Sequence, residues 1–264
     1  MKIVKPSVTL ITPINTSEVM AFLERCGRTC YKSSPQANKT SSQFVESLIR
    51  SGHESVLEHY SVSFRIICDR GVSHELVRHR LASYSQESTR YCNYGNKDIE
   101  FIKPIELKED TVPYILWKES CERAEIAYNN LLKSKVKPET ARSVLPNSLK
   151  TEIVMTANLR EWRHFLKLRY AGETGKPHPD MKEIAFHIYS IFNVMLPSIV
   201  FDIKERLIQC DGDKISDEQR KERIKARCDA LDRLQTWQDV YEHVSNAIRR
   251  LTEDLDARDN SEDK

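Results

Sequence analysis

The segment EHYSVSFRIIC, residues 58–68, decides the architecture. Tyr60, Val62, Phe64, Ile66 and Cys68 alternate with Ser61, Ser63 and Arg65, and a period of two sends the apolar set to one face and the polar set to the other. This is a half-buried strand. TEIVMTAN (151–158) and PSVTLITP (6–13), the latter bounded by two prolines, are strands of similar character, and another is expected at 98–102. Around them the spacing turns helical. Val19, Phe22, Leu23 and Cys26 mark a helix over 16–29, and a second over 41–51 ends at Gly52. Ser73 is positioned to cap a short helix, 74–81, and a long one over 110–134 carries Leu116, Ala124, Ala127 and Leu131. Pro138 opens a helix over ETARSVL, followed by helices LREWRHFLKLR (159–169) and MKEIAFHIYSIFNVML (181–196), the last largely buried. The order lacks the strict alternation of a doubly wound parallel sheet, so the expected class is α+β: a mixed or mainly antiparallel sheet flanked by helices, with a helical C-terminal appendage.

The 264 residues, 39% hydrophobic and 30% charged, suffice for one large domain or two small ones. Composition shifts near residue 205, which predicts a main domain over 1–204 and a polar helical extension over 205–264. The extension carries a weak apolar stripe (Ile224, Leu231, Leu234, Trp237, Val240), and its end, DARDNSEDK, has the composition of a disordered segment. A formal net charge of +2 gives no global field for nucleic acid or an anionic membrane. No apolar run approaches the roughly 18–20 residues of a membrane span, and the N-terminal run is too short for a signal peptide, so a cytoplasmic protein is expected. Seven scattered cysteines without a C-x-x-C pair fit reduced thiols, including Cys26 and Cys30 one helical turn apart. The seven glycines form neither a dinucleotide-binding turn nor a P-loop, so any phosphate must be held mainly by side chains.

Three stretches carry the chemistry. RHRLASYSQESTRYCNY (78–94) crowds Arg78, His79, Arg80 and Arg90 with Ser83, Ser85, Gln86, Ser88 and Thr89, and interleaves Tyr84, Tyr91 and Tyr94. Cations at a helix C-terminus are ordinarily explained by the macrodipole. The polar loop expected after them, with a guanidinium fork at Arg90, fits a ligand made of phosphate and a flat ring. GHESVLEH (52–59) offers His53 and His59 as metal ligands, but nothing forces the two onto one face and no companion motif follows, so no metal is expected. In NLREWRHFLKLR, Arg160 and His164 share a helix face while Arg169 lies about 180° from Arg160, so the helix can serve two ligands. A surface helix with a basic stripe is the plainer alternative, with Trp162 and Phe165 supplying its packing.

RHRLASYSQES, an Arg-His-Arg followed after seven residues by Ser88, is similar to the signature of the flavin-dependent thymidylate synthases. GHESVLEH, TARSVLP (140–146) and NLREWRHFLKLR resemble that family's other blocks in the same order, over roughly residues 40–200. The resemblance implies transfer of a methylene group from methylenetetrahydrofolate to carbon 5 of dUMP and its reduction by FADH2, the flavin being recharged by NADPH, giving dTMP and tetrahydrofolate. It also implies a homotetramer with shared sites. Carried over residue by residue, it assigns FAD contacts to Arg78, His79 and Arg80, with His53, Ser55, Glu58, Asn158, Arg160, His164 and His178 as further flavin-side residues. It assigns dUMP to Gln86, Ser88, Thr89 through its backbone N–H, Arg90, Arg142 and Arg169. Arg169 is the expected stabiliser of charge developing on the pyrimidine. Ser88, with no base identifiable beside it, is expected to position substrate rather than attack it. The chain departs from the pattern at Glu75, where many relatives place a nucleotide-contacting Gln, and at Gln86, where some have Glu. AGETGKPHP, which carries His178, makes the loop between Arg169 and His178 longer than in compact members.

Two readings compete. A nucleic-acid-binding module would use the same cations on phosphates and the tyrosines on bases, with binding that falls steeply with salt. A nucleotide-binding scaffold would keep the fold without catalysis and recruit a partner through its tail.

Overall fold

The computed structural model describes residues 1–210 except positions 31, 36, 37, 93, 96 and 97, with side chains to 203. The chain divides into two units, Met1–Arg206 and Leu207–Lys264, and every contact described below lies within the first. The stripe from Ile224 to Val240 and the acidic end lie outside the described residues.

In chain order the first half runs β1 (Lys2–Val4), β2 (Ser7–Leu10), α1 (Thr16–Thr29), α2 (Ser41–Arg50), a 3-10 turn (Glu54–His59), β3 (Ser61–Asp69), α3 (Arg70–Leu76) and β4 (Ala82–Gln86). The second runs β5 (Glu100–Ile102), α4 (Val112–Lys133), α5 (Pro138–Ala141), a 3-10 turn (Arg142–Val144), β6 (Lys150–Asn158), α6 (Leu159–Arg169), α7 (Pro179–Met195) and α8 (Pro197–Cys210). Four strands form an antiparallel sheet in the order β2-β3-β6-β4, and β1 and β5 form a separate parallel pair. The fold is therefore α+β with a mainly antiparallel sheet.

The alternation in β3 works as its pattern requires. Val62, Phe64 and Ile66 are buried and stand opposite Ala157, Met155 and Ile153 of β6. Helices α6 and α7 cover this face: the Phe64 ring meets Trp162 and Phe192 edge-on, at centroid distances of 5.0 and 5.3 Å. Trp162 Nε1–H donates to the Val62 carbonyl at 3.0 Å, so the indole buries its one polar atom satisfied. Full burial of a side chain of this class contributes about 1.5–3 kcal/mol. The opposite face is polar, with Ser63 Oγ and Thr156 Oγ1 2.8 Å apart and Arg65 donating to both Glu152 oxygens at 2.6 and 2.7 Å. A second core gathers Ile99, Phe101, Cys121, Tyr128, Ala141 and Leu149 beneath α4.

Arg163 places a full charge inside the main core. Arg163 of α6, fully buried, donates to both carboxylate oxygens of Asp202 at 2.7 Å, to Glu54 Oε1 at 2.9 Å and to the Ile199 carbonyl. It ties α6 to the 54–59 turn on one side and to α8 on the other.

Several sequence expectations change. The strand over 6–13 shortens to β2, and β1 pairs far along the chain with β5. The helix expected at 74–81 spans Arg70–Leu76 instead, because Asp69 rather than Ser73 caps it, accepting from Val72 N at 2.6 Å. Ser73 Oγ turns inward and donates to the Arg70 carbonyl. The polar loop expected after Arg80 is in part β4, an edge strand paired with β6. The helix over ETARSVL is a single α turn followed by a 3-10 turn. In α4, Leu116 is exposed, and Cys121 and Tyr128 anchor the helix. Gly52, with φ +75°, closes α2 as expected. No described helix is long and apolar enough to cross a membrane.

Candidate active site

The Arg-His-Arg triplet lies in the connection from α3 to the edge strand β4. Backbone bonds from Arg78 N to Glu75 O and from His79 N to Leu76 O wind the chain just past the helix end. The Tyr84 hydroxyl sits 2.7 Å from both the Leu76 and His79 carbonyl oxygens and clamps this connection against β4. Successive side chains consequently diverge: Arg78 and Arg80 are exposed, and His79 between them is 6% exposed.

These residues border a cavity of about 1200 Å³. Helix α6 forms one wall along its length, through Arg160, Glu161, His164, Lys167, Leu168 and Arg169. Asn158 also borders the cavity, and its side chain caps α6 by accepting from Glu161 N at 2.9 Å. Glu54 and Glu58 close another side, and Thr174 to Pro177, beyond a turn at Gly172 (φ +73°), a third. Among the described residues the lining holds six cations (Arg78, Arg80, Arg160, Lys167, Arg169, Lys176) against three carboxylates, a local excess that the nearly neutral whole chain hides.

His79 is the wall's buried node. Arg169 Nε–H donates to its Nε2 at 3.1 Å, Glu161 Oε1 lies 3.4 Å from its Nδ1, and its ring packs edge-on against Phe165 at 5.0 Å. Burial, then the charges of Arg169, His164 and Arg78, push its pKa down to about 4, so the imidazole is neutral at pH 7. Burial pushes Glu161 up, opposed by His164. His79, Glu161 and His164 offer ligand atoms within 4.8 Å of one another, a grouping the sequence reading did not foresee. The Arg169 guanidinium against the same imidazole opposes a cation there.

Arg169 also reaches a second cluster. Its Nη1 pairs with Glu75 Oε2 at 2.8 Å. Farther along, Gln86 Nε2 donates to Ser73 Oγ and Thr151 Oγ1 at 2.9 and 3.1 Å, Arg142 Nη1 donates to Thr89 Oγ1 at 2.8 Å, and Arg90 Nε pairs with Glu139 at 3.1 Å. Ser88 Oγ accepts from Arg90 N at 3.3 Å, and among the described residues no basic side chain bonds to it.

Of the flavin-side residues named from the sequence, the cavity gathers Glu58, Arg78, His79, Arg80, Asn158, Arg160 and His164. His53, Ser55 and His178 are exposed and do not border it. In the 52–59 block, Glu54 and Glu58 face inward instead, with Glu58 paired to Arg160. Arg160 and Arg169, on opposite helix faces, both border the cavity, because its lining wraps around the last turn of α6. Sequence reasoning passed over Glu161, Lys167 and Lys176. Glu161 follows Asn158 by three, which reads as a helix-start pattern and conceals its turn toward His79.

A family model described as thymidylate synthase complementing protein matches residues 12–198. A flavin-dependent thymidylate synthase of Thermococcus onnurineus (strain NA1) is 45% identical over 121 residues, 45% of this chain and 49% of that protein. One from Mycobacterium tuberculosis (strain ATCC 25177 / H37Ra) is 33% identical over 217 residues, 74% of this chain and 84% of that protein. Against Thermococcus relatives the chain spans about half of their length, 49% in each of two. Among solved structures, a UMP/dUMP methylase from Streptomyces cacaoi bound with 5-Br dUMP has the same fold, with a TM-score of 0.66 at 23% identity over 78% of this chain and 97% of that one. With the match running from just after β2 to the start of α8, across every element of the cavity, the chain belongs to the thymidylate synthase complementing protein family.

Proposed function

We propose that this protein catalyses FAD-dependent reductive methylation of dUMP to dTMP, with methylenetetrahydrofolate as carbon donor and NADPH as reductant. The observation that carries the reading is Arg169, whose guanidinium joins His79 in the cavity wall to Glu75 on the nucleotide-side cluster. The names of the relatives, flavin-dependent thymidylate synthases, agree with it.

The lining fits a flavin dinucleotide. In a chain without a glycine-rich phosphate loop, the cationic excess of the cavity faces a pyrophosphate with Arg78, Arg80 and Arg160 as its holders. Bound there, the flavin supplies the reducing equivalents for the transferred one-carbon unit. The chain's own residues bind and orient. Arg90 and Arg142 hold the nucleotide phosphate, Gln86 and Ser88 position the substrate, and Arg169 opposes negative charge developing on the pyrimidine. His79, neutral, donates no charge of its own and orients Arg169 through Nε2.

Leu81 and Tyr91, 75% and 79% exposed, flank the motif and support sites completed by neighbouring copies in a cytoplasmic homotetramer. His53, Ser55 and His178 are then flavin contacts made at such a boundary. The test is the visible spectrum of purified protein before and after anaerobic NADPH, with and without dUMP, together with tritium release from 5-tritiated dUMP. Flavin bands that bleach faster with dUMP, and tritium release that needs folate, are expected. A colourless protein that FAD does not reconstitute overturns the reading.

A further inference from the structure

Glu161 is 5% exposed, and its carboxylate faces the imidazole that Arg169 leans on. We propose that Glu161 is a positioning residue: it holds the His79 proton on Nδ1, which leaves Nε2 free as the acceptor that aims Arg169 at the nucleotide. The inference rests on the dUMP-methylating reading for its purpose, and on geometry alone for its tautomer.

A neutral imidazole has one donor nitrogen and one acceptor, while a guanidinium has donors only. The Nε2 that receives Arg169 Nε–H at 3.1 Å therefore carries the lone pair, and the proton belongs on Nδ1, 3.4 Å from Glu161 Oε1. The other tautomer sets N–H against N–H at Arg169 and a lone pair against a carboxylate at Glu161. Both contacts then repel. His79 is 6% exposed, so water offers little relief, and Phe165 packed at 5.0 Å fixes the ring plane. Around the imidazole the other charged or titratable groups are Arg78 on its own segment and His164 on α6, and neither has a hydrogen bond to either ring nitrogen among the described residues. The depressed basicity of His79 agrees with a neutral ring. The segment from Glu161 through His79 and Arg169 to Glu75 is thus a line of side chains in which each partner fixes the next.

The test pairs enzyme kinetics with nitrogen-15 spectroscopy of labelled histidine in the full-length protein. Wild-type His79 is expected as the Nδ1–H form. E161L should lower kcat/KM for 5-tritiated dUMP at least ten-fold, shift the His79 nitrogens toward a tautomer mixture and leave the melting temperature within a few degrees. E161Q, whose amide oxygen can still accept from Nδ1–H, should recover most of the loss. E161L with wild-type kinetics, or with lost activity and an unchanged tautomer, overturns the proposal. So does a wild-type His79 protonated on Nε2, a result that needs no variant to fold. Absence of tritium release from the wild type would instead count against the dUMP reading, and the tautomer measurement stays decisive for Glu161.

Discussion

Replacing Arg163 with methionine should destabilise the fold without removing a group that borders the cavity. The guanidinium is fully buried and makes four hydrogen bonds, to Asp202, Glu54 and the Ile199 carbonyl. Removing one member of a buried ionic cluster costs about 3–5 kcal/mol, chiefly because its partners keep their charge without compensation. Here the side chains of Asp202 and Glu54 each retain 20% exposure, and Lys167 still bonds Glu54 at 3.3 Å, so the lower end applies, about 3 kcal/mol. At roughly 2–4 °C per kcal/mol for a unit of this size, the melting temperature should drop by about 6–12 °C. Methionine keeps most of the stem volume, which limits any cavity contribution. The loss has a pH signature. Burial pushes both carboxylates up, but the Arg163 hydrogen bonds and charge outweigh it and leave Glu54 and Asp202 below the ordinary carboxylate range. Their contribution is full above their unfolded values near 4 and disappears as pH falls through the depressed folded ones, so R163M should flatten the acid limb of stability against pH. Thermal melts by circular dichroism, at pH 7 and through the acid range, measure both. A loss under about 1 kcal/mol at pH 7, with the acid limb unchanged, refutes the account of the cluster.

R169Q should reduce kcat by roughly 10²–10³-fold, the usual loss for one well-placed charge-stabilising donor, measured as tritium release; a loss under ten-fold removes Arg169 from that role. E75Q frees Arg169 from a partly exposed ion pair and removes a carboxylate from the proposed dUMP side of the site, so on that proposal calorimetry should show dUMP binding up to about five-fold more tightly. Weaker binding would make Glu75 a ligand contact instead. His79 is held near 4 against an ordinary 6.5, so its contribution is complete above 6.5 and lost as pH falls toward 4, about 3 kcal/mol at most. Glu161, raised by the same burial, slopes the other way in the acid part of that window, and the check is therefore the difference between H79Q and wild type: a steeper wild-type decline from pH 6.5 to 4 is expected, and parallel curves sink it.

Local periodicity made the sheet's centre and the helix that walls the cavity legible in the sequence. β3 and β6 carry alternating patterns, each broken by one apolar residue on the polar face, Ile67 and Val154, and these strands and α6 formed within a residue or two of their expected spans. The β1–β5 pair was illegible because its partners are about 98 positions apart, and three residues are too few to show a period. β4 was read as loop because Ser, Tyr, Ser and Gln are also what a turn contains; pairing with β6 made it a strand. For the site, the cationic motif and the kind of ligand it suits were visible in the sequence, yet the way its side chains diverge was not. Spacing puts Arg160 and Arg169 half a turn apart and cannot show that the cavity lining wraps around the end of the helix. Nothing in the sequence singles out Glu161, and the approach of residue 79 in three dimensions brings its carboxylate to the imidazole.

Helix α6 packs Trp162, Arg163 and Phe165 into the interior while lining the cavity with Arg160, His164 and Arg169. In most folds the residues that hold the protein together and those that act on ligands occupy different elements, so each set can drift separately. In these eleven residues they interleave, and a substitution accepted on one face displaces the other by the rigid rotation or slide of a single rod. The 138–144 segment and β4, most of whose side chains stay at least partly exposed, leave more room for substitution than this helix does, apart from Ala141 in the second core.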